Sequence, residues 1–222
     1  MGRIKHAVIM AAGRGQRMMP LTQVMPKPMA PYLNTTLIAN GIEKIRPYID
    51  KIHVTVGYKG AMLAQHLIEH GVSSIFNTDG QSNCWWIFNT LMRLVDEPVF
   101  VLTCDNVTDI DFSALEEDYF ALGAPPCAVV PVTPVPGLEG DYIFHDAQWV
   151  SELSRTKPAD TYCSGIQVLN PHRLNQLLTD ASDFYDVWSR LIAQRQLMVA
   201  RIRPTRWFTV DTLADLQRSS TG

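Results

Sequence analysis

No stretch of this chain approaches the roughly 18 consecutive apolar residues of a membrane span. The N-terminus carries Arg3, Lys5 and His6 before a short apolar run, and Arg14 and Arg17 follow at once. A signal peptide needs a longer apolar region and a cleavage site, so the start reads as that of a mature cytoplasmic protein without a membrane partner. There is no basic excess: 19 Lys and Arg against 22 Asp and Glu give a net charge of -3. That excludes a general nucleic-acid binder, which needs a basic footprint, but not a small anionic ligand held by a few local cations. The four cysteines (Cys84, Cys104, Cys127 and Cys163) form no Cys-x-x-Cys pair. Reduced, largely buried thiols are expected, without a disulfide framework or zinc site. The six histidines are scattered, and His66 with His70, one helical turn apart, lacks the carboxylate spacing of a familiar zinc motif. No internal repeat, low-complexity tract or linker is present, so 222 residues predict one domain spanning 1–222.

What is present is an alternation of short apolar runs and helical patterns. Strands are expected at residues 4–10, 52–56, 72–76, 98–102, 127–132, 165–169, 197–203 and 207–210. Helices are expected at 35–45 with Thr35 or Thr36 as cap, 61–69, 84–95, 115–122 after a cap at Asp111 or Ser113, 171–178, 184–193 and 212–218. The apolar positions of 84–95 are too broadly spread for an exposed stripe, so a buried helix is predicted there. The order gives an α/β fold, a mostly parallel sheet covered on both faces. Turn signals and short alternating runs from 134 to about 164 predict a small antiparallel excursion shaping one side of a pocket.

Three features point to chemistry. Ala11-Ala12-Gly13-Arg14-Gly15-Gln16-Arg17 directly follows the first strand. Glycines at 13 and 15 allow a tight turn whose N–H groups converge on an anion. It is neither a Rossmann fingerprint, since Met18 stands where a third glycine belongs, nor a Walker loop, since no Gly-Lys-Ser/Thr occurs. Lys27 is flanked by Pro26 and Pro28, which restrict the backbone around it and suit an ammonium that must be aimed. Asp105 follows the run Val99-Phe100-Val101-Leu102, at the end of a strand where α/β sheets bind ligands; capping the following turn is its alternative role. Asp211 also ends an apolar run and is equally suited to an N-cap. Two single carboxylates at strand ends are a reasonable pair for magnesium, which takes few protein oxygens together with substrate phosphates. Together these residues suggest nucleotidyl transfer, with Arg17 and Lys27 neutralising phosphate and no protein nucleophile required.

The ordered set Ala11-Ala12-Gly13-Arg14-Gly15-Gln16-Arg17, Pro20-Leu21-Thr22 and Pro26-Lys27-Pro28 resembles the nucleoside-triphosphate-dependent sugar-1-phosphate nucleotidyltransferases, also called nucleotide-sugar pyrophosphorylases. The resemblance covers essentially the whole chain. It implies a Rossmann-like three-layer αβα sandwich without the C-terminal β-helix of some members. It also implies magnesium-dependent transfer of a nucleoside monophosphate from an NTP to a sugar 1-phosphate, release of pyrophosphate and formation of an NDP-sugar for cell-envelope polysaccharide. The matching positions assign catalysis to Arg17, Lys27 and Asp105 and metal binding to Asp105 and Asp211. Nucleotide binding falls to Ala11, Ala12, Gly13, Gly15, Arg17, Asn77, Ser82 and Asn83, and acceptor binding to Lys157 and Gly165. Thr156 stands where the family's Glu-Lys-Pro motif has glutamate, which puts the acceptor in question. The loop 77–83, with Ser82-Asn83, is closer to the CTP-dependent cytidylyltransferases acting on phosphocholine and related small phosphates. Trp85 and Trp86 either line a pocket for such a cation or, as is commoner on an apolar helix, fill the core. A relative of another class, a nucleotide-binding regulator without activity, would have little need of the carboxylate pair. A monomer or small homo-oligomer is expected, and no nucleic-acid partner.

Overall fold

The computed structural model describes residues 2–135, 138 and 140–219. Its strands, in chain order, are β1 (His6–Met10), β2 (Pro31–Tyr32), β3 (Thr35–Thr36), β4 (Lys51–Val56), β5 (Ser74–Asn77), β6 (Val99–Thr103), β7 (Asn106–Asp109), β8 (Cys127–Val132), β9 (Tyr142–Asp146), β10 (Trp149–Ser154), β11 (Tyr162–Leu169), β12 (Leu197–Val199) and β13 (Arg206–Thr209). The helices are α1 (Leu21–Val24), α2 (Leu37–Ile45), α3 (Gly60–Glu69), α4 (Trp85–Asn89), α5 (Phe112–Ala121), α6 (Pro171–Leu177), α7 (Phe184–Ala193) and α8 (Leu213–Ser219).

Nine strands form one sheet in the order β5-β4-β1-β6-β11-β8-β12-β10-β9. The pairs β5–β4, β4–β1, β1–β6 and β8–β12 are parallel. Only β11 and β10 run against the other strands of this sheet. The expected α/β sandwich with a mostly parallel sheet is therefore the observed one. Each face carries its own core. One cluster joins Ile9, Ile38, Ile42, Leu63, Leu67, Phe100 and Leu115, from the sheet, α2, α3 and α5. The other joins Val8, Trp86, Val101, Val129, Leu174, Trp188 and Leu191, from the sheet, α4, α6 and α7. The central strands β6 and β8 are buried through most of their length, as strands covered on both faces must be.

Local chemistry sets several boundaries. Thr36 starts α2 by accepting from the Ala39 N–H at 3.2 Å, and Asp111 starts α5 by accepting from the Ala114 N–H at 3.0 Å. The antiparallel excursion is the hairpin β9–β10, which turns at Ala147 (φ 49°) and extends the main sheet through β12. Positions 136, 137 and 139 of that predicted excursion lie outside the described residues. The expected single helix over 84–95 is two pieces. Thr90 adopts an extended conformation (φ −117°, ψ 174°) and its hydroxyl accepts from the Met92 N–H, so α4 stops and a separate 3-10 turn covers Leu91–Leu94. Leu91 and Leu94 consequently face solvent instead of entering the core. The strand predicted at 197–203 stops at Val199.

At the amino end of β1, His6 Nδ1 and His53 Nε2 share a hydrogen bond of 2.9 Å, and His53 Nδ1 lies 2.6 Å from Ser74 Oγ. Burial, the His6 ring and Lys51 push His53 down to about 4. The unfolded chain therefore takes up this proton at a higher pH than the folded protein does. Stability should fall as pH drops from about 6.5 towards 4, with a limiting slope near 1.4 kcal/mol per pH unit for one proton. Urea denaturation at pH 7 and pH 5 checks this: His53→Gln should flatten the difference.

Candidate active site

The carboxyl ends of β1, β4, β5 and β6 open into a cleft of about 880 Å³. Its near wall is the glycine loop from Ala12 to Arg17, which leaves β1. Gly15 takes the left-handed conformation (φ 61°, ψ 40°) that lets the loop turn into a 3-10 turn at Gln16–Met18. A Cβ on Gly15 would stand 2.7 Å from the Cβ of Lys27 and 3.2 Å from Thr22 Cγ2. The glycine is thus required twice, for its φ and for its close approach to Lys27. Thr22 fastens the loop by donating to the Gly15 carbonyl at 3.0 Å, and the Tyr58 hydroxyl donates to the Thr22 carbonyl at 3.0 Å.

Lys27 sits at the head of a second 3-10 turn, Lys27–Met29, framed by Pro26 and Pro28. Its side chain is only 10% exposed. Lys27 Nζ donates to Asp105 Oδ2 at 2.7 Å and to Asp211 Oδ1 at 2.9 Å. Arg17 Nη2 lies 3.0 Å from the same Asp211 oxygen. Burial opposes the charge on Lys27, but the adjacent Asp105 carboxylate and hydrogen bonds to both aspartates outweigh it, so its pKa rises. The ammonium is held charged.

The two aspartates meet because β7 and β13 pair in a separate antiparallel ribbon, with Asn106 opposite Thr209. The ribbon continues as the Val210 N–H donates to the Asp105 carbonyl at 2.9 Å, which sets Asp211 beside Asp105. A small apolar cluster of Met18, Ala30, Tyr32, Leu37, Val107 and Val210 ties this ribbon to the turns that carry Arg17 and Lys27. Asp215 secures the far end: its Oδ2 accepts from Asp211 N, Thr212 N and Thr212 Oγ1 at 3.2, 2.9 and 2.8 Å. Next to Asp105, the Cys104 thiol is pushed well up by burial and is no nucleophile.

The loop 79–83 forms the opposite wall. Ser82 and Asn83 line it, and Asn83 Oδ1 accepts from the Phe184 N–H at 3.0 Å, which fixes the direction of its amide. Trp86 is fully buried and Trp85 partly so, so Trp86 belongs to the core. Several residues named from the sequence lie outside this lining. Ala11 is buried at the end of β1 and donates to the Thr55 carbonyl at 3.1 Å. Asn77 is exposed, and its Oδ1 accepts from the Asp79 N–H at 3.1 Å. Gly165 (φ 81°) faces Asn106 and Thr103 from β11. Lys157 lies on the surface, its Nζ 2.9 Å from Glu152 and 4.1 Å from the centre of the Phe144 ring. The lining also holds Arg14 of the glycine-loop motif, together with the strand-end threonines Thr55, Thr78 and Thr103, which the sequence left without a role. Only the spatial convergence of strand ends reveals them.

Among the described residues no group of three or more His, Cys, Asp or Glu is arranged to hold a metal ion. Asp105 and Asp211 nevertheless fit magnesium in its usual protein setting, where one or two carboxylates suffice and water and substrate phosphate complete the shell. Their donors are hard oxygens, they meet at one point in the cleft, and that point already attracts cations. Among the described residues no helix is long and apolar enough to cross a membrane, and the four cysteines are free, with Cys84, Cys127 and Cys163 buried.

Comparison with known proteins places the chain in a family. The chain is 26% identical over 206 residues to a mannose-1-phosphate guanyltransferase of Candida albicans, covering 86% of this chain and 57% of that protein. It is 36% identical over 64 residues to the bifunctional protein GlmU of Methanococcus maripaludis, covering 29% of this chain and 16% of that one. The chain thus spans little more than half the length of the first of these curated relatives, and far less of the second. Among solved structures, the inositol-1-phosphate CTP transferase of T. maritima superposes with a TM-score of 0.78 at 15% identity, over 98% of this chain and 96% of the other, a likeness of fold. The family described as Nucleotidyl transferase matches residues 6–137, which include the glycine loop, Lys27 and Asp105. The chain belongs to the nucleotidyl transferase family.

Proposed function

We propose that the protein catalyses magnesium-dependent transfer of a nucleoside monophosphate from a nucleoside triphosphate to a sugar 1-phosphate, releasing pyrophosphate and forming an NDP-sugar. The observation that carries this reading is the convergence of Lys27, Arg17, Asp105 and Asp211 beneath a glycine loop in an open cleft. A protein that merely bound nucleotide would have no use for two carboxylates at the point where phosphate must lie. A sugar phosphate is favoured as acceptor because the Candida relative is named as acting on mannose 1-phosphate.

In this reading the triphosphate lies along the loop from Ala12 to Arg17, whose backbone N–H groups receive its oxygens. Arg17 and Lys27 neutralise charge on the phosphates. An acceptor phosphate oxygen, already anionic, attacks the α-phosphorus; the bond from that phosphorus to the bridging oxygen breaks, and pyrophosphate departs with the electron pair. No proton has to be removed from the nucleophile, so catalysis is alignment and charge stabilisation. Asp105 and Asp211 would hold the magnesium ion, which supplies further neutralisation of phosphate charge when bound. The base lies against Ser82 and Asn83. Gly165 bounds the acceptor side, and Lys157 reaches the acceptor phosphate by releasing Glu152.

The test follows pyrophosphate release with each of the four common nucleoside triphosphates, magnesium and a panel of sugar 1-phosphates together with phosphocholine. Release that requires one sugar 1-phosphate is expected. Release with CTP and phosphocholine would assign a cytidylyltransferase instead, and no release from any pair would leave a nucleotide-binding regulator. Asp105→Asn, which keeps an oxygen for Lys27 to bond, should lower turnover on the order of 100-fold while the protein stays folded, as circular dichroism would show. Gly15→Ala should lower turnover on the order of tenfold or more, because its Cβ displaces Lys27 and strains a left-handed residue by roughly 1–2 kcal/mol. Normal kinetics in Gly15→Ala would remove the loop from the phosphate site.

A further inference from the structure

Lys27 does not point at open cleft. Its ammonium bridges one oxygen of Asp105 and one of Asp211, at 2.7 and 2.9 Å, and Arg17 shares the Asp211 oxygen at 3.0 Å. The two carboxylates and two cations make a formally neutral group. Magnesium binds carboxylate oxygen at about 2.0–2.1 Å, so it and the ammonium cannot both occupy the space between those two oxygens. We propose that Lys27 is the resident counter-ion of the Asp105–Asp211 pair and competes with a divalent cation for it, so that metal enters when a triphosphate draws Lys27 away.

This rests on the two aspartates being the metal ligands of the proposed transfer reaction. The electrostatics give the order of events. Without nucleotide the cluster has no net charge with which to attract a second strongly hydrated cation, and displacing Lys27 would strand a largely buried ammonium. A triphosphate arriving on the glycine loop brings several negative charges to the same cleft. Lys27 and Arg17 can then transfer their hydrogen bonds to phosphate, and the freed carboxylates become a cation site. Lys27 would thereby couple the binding of metal and nucleotide in addition to touching the phosphates. Free metal ion would not be drawn into an enzyme with nothing to transfer.

The coupling predicts an opposite effect of one substitution on two measurements. Lys27→Met keeps the side-chain stem against Gly15 and removes the charge. Titrated with Mn²⁺ alone and followed by the loss of its free paramagnetic resonance signal, Lys27→Met should bind the ion on the order of tenfold tighter than the wild type, even though its turnover falls. Mn²⁺ alone should also raise the melting temperature of Lys27→Met more than that of the wild type, since the unpaired carboxylates gain a cation. The double variant Lys27→Met, Asp105→Asn should lose the gain. If Lys27→Met does not fold, Lys27→Gln, which keeps an amide donor without the charge, takes its place. Mn²⁺ binding no tighter in the folded variant than in the wild type would overturn the proposal. That result alongside normal pyrophosphate release by the wild type would leave the transfer reading standing. Tighter binding in a protein that releases no pyrophosphate would support the counter-ion role and reject the transfer reading.

Discussion

The ammonium of Lys27, lodged between Asp105 and Asp211, is the interaction on which the active end of this molecule depends. A largely buried charge is tolerated only when its partners are close and well directed, because the interior does not solvate it. Each surrounding feature helps to meet that condition. Gly15 lacks the Cβ that would collide with the Lys27 stem. Pro26 and Pro28 hold the turn that presents the lysine. The β7–β13 ribbon brings the two carboxylates to neighbouring positions, and Asp215 secures the backbone of one of them. Removing any one partner leaves the others as uncompensated charges in a partly dry place.

The sheet supplies the rest of the setting. Parallel strands direct their carboxyl ends the same way, so the loops after β1, β5 and β6 open onto one cleft. Turns from these strand ends carry the glycine loop, the polar wall at 79–83 and Asp105. The antiparallel strand β11 enters beside β6, and the absence of a side chain at Gly165 lets Asn106 and Thr103 approach closely. Two independent hydrophobic clusters, one on each face, hold the strands rigid while the cleft stays open to solvent. Rigidity matters here because the proposed chemistry needs alignment and fixed charge, not a protein nucleophile.

Much of the fold was legible locally. The apolar runs that became β1, β4, β6 and β8 are short, bounded by turn residues and buried on both sides, which is what a central parallel strand requires. Thr36 and Asp111 act as the caps their positions suggested. Other features were not legible because their causes are not local. The run from Cys84 to Val95 is apolar throughout, and nothing in its periodicity shows that Thr90 turns outward and leaves Leu91 and Leu94 in solvent. The reading of Lys157 from its neighbouring proline could not include the glutamate and the aromatic ring across the hairpin that now engage it. Thr55, Thr78 and Thr103 line the cleft only because three strands end together, and a threonine at a strand end looks like any other.

By itself the sequence determined the strand–glycine-loop start, the proline-framed lysine and two aspartates at the ends of apolar runs, since steric and hydrophobic rules of short range dictate each of them. It left Asp105 and Asp211 with alternative uses as helix or turn caps. Tertiary structure paired Asn106 with Thr209, residues about half the chain apart, and so placed both carboxylates on one ammonium. Strand register across that distance depends on packing against Met18, Tyr32 and Leu37, contacts that no local pattern encodes.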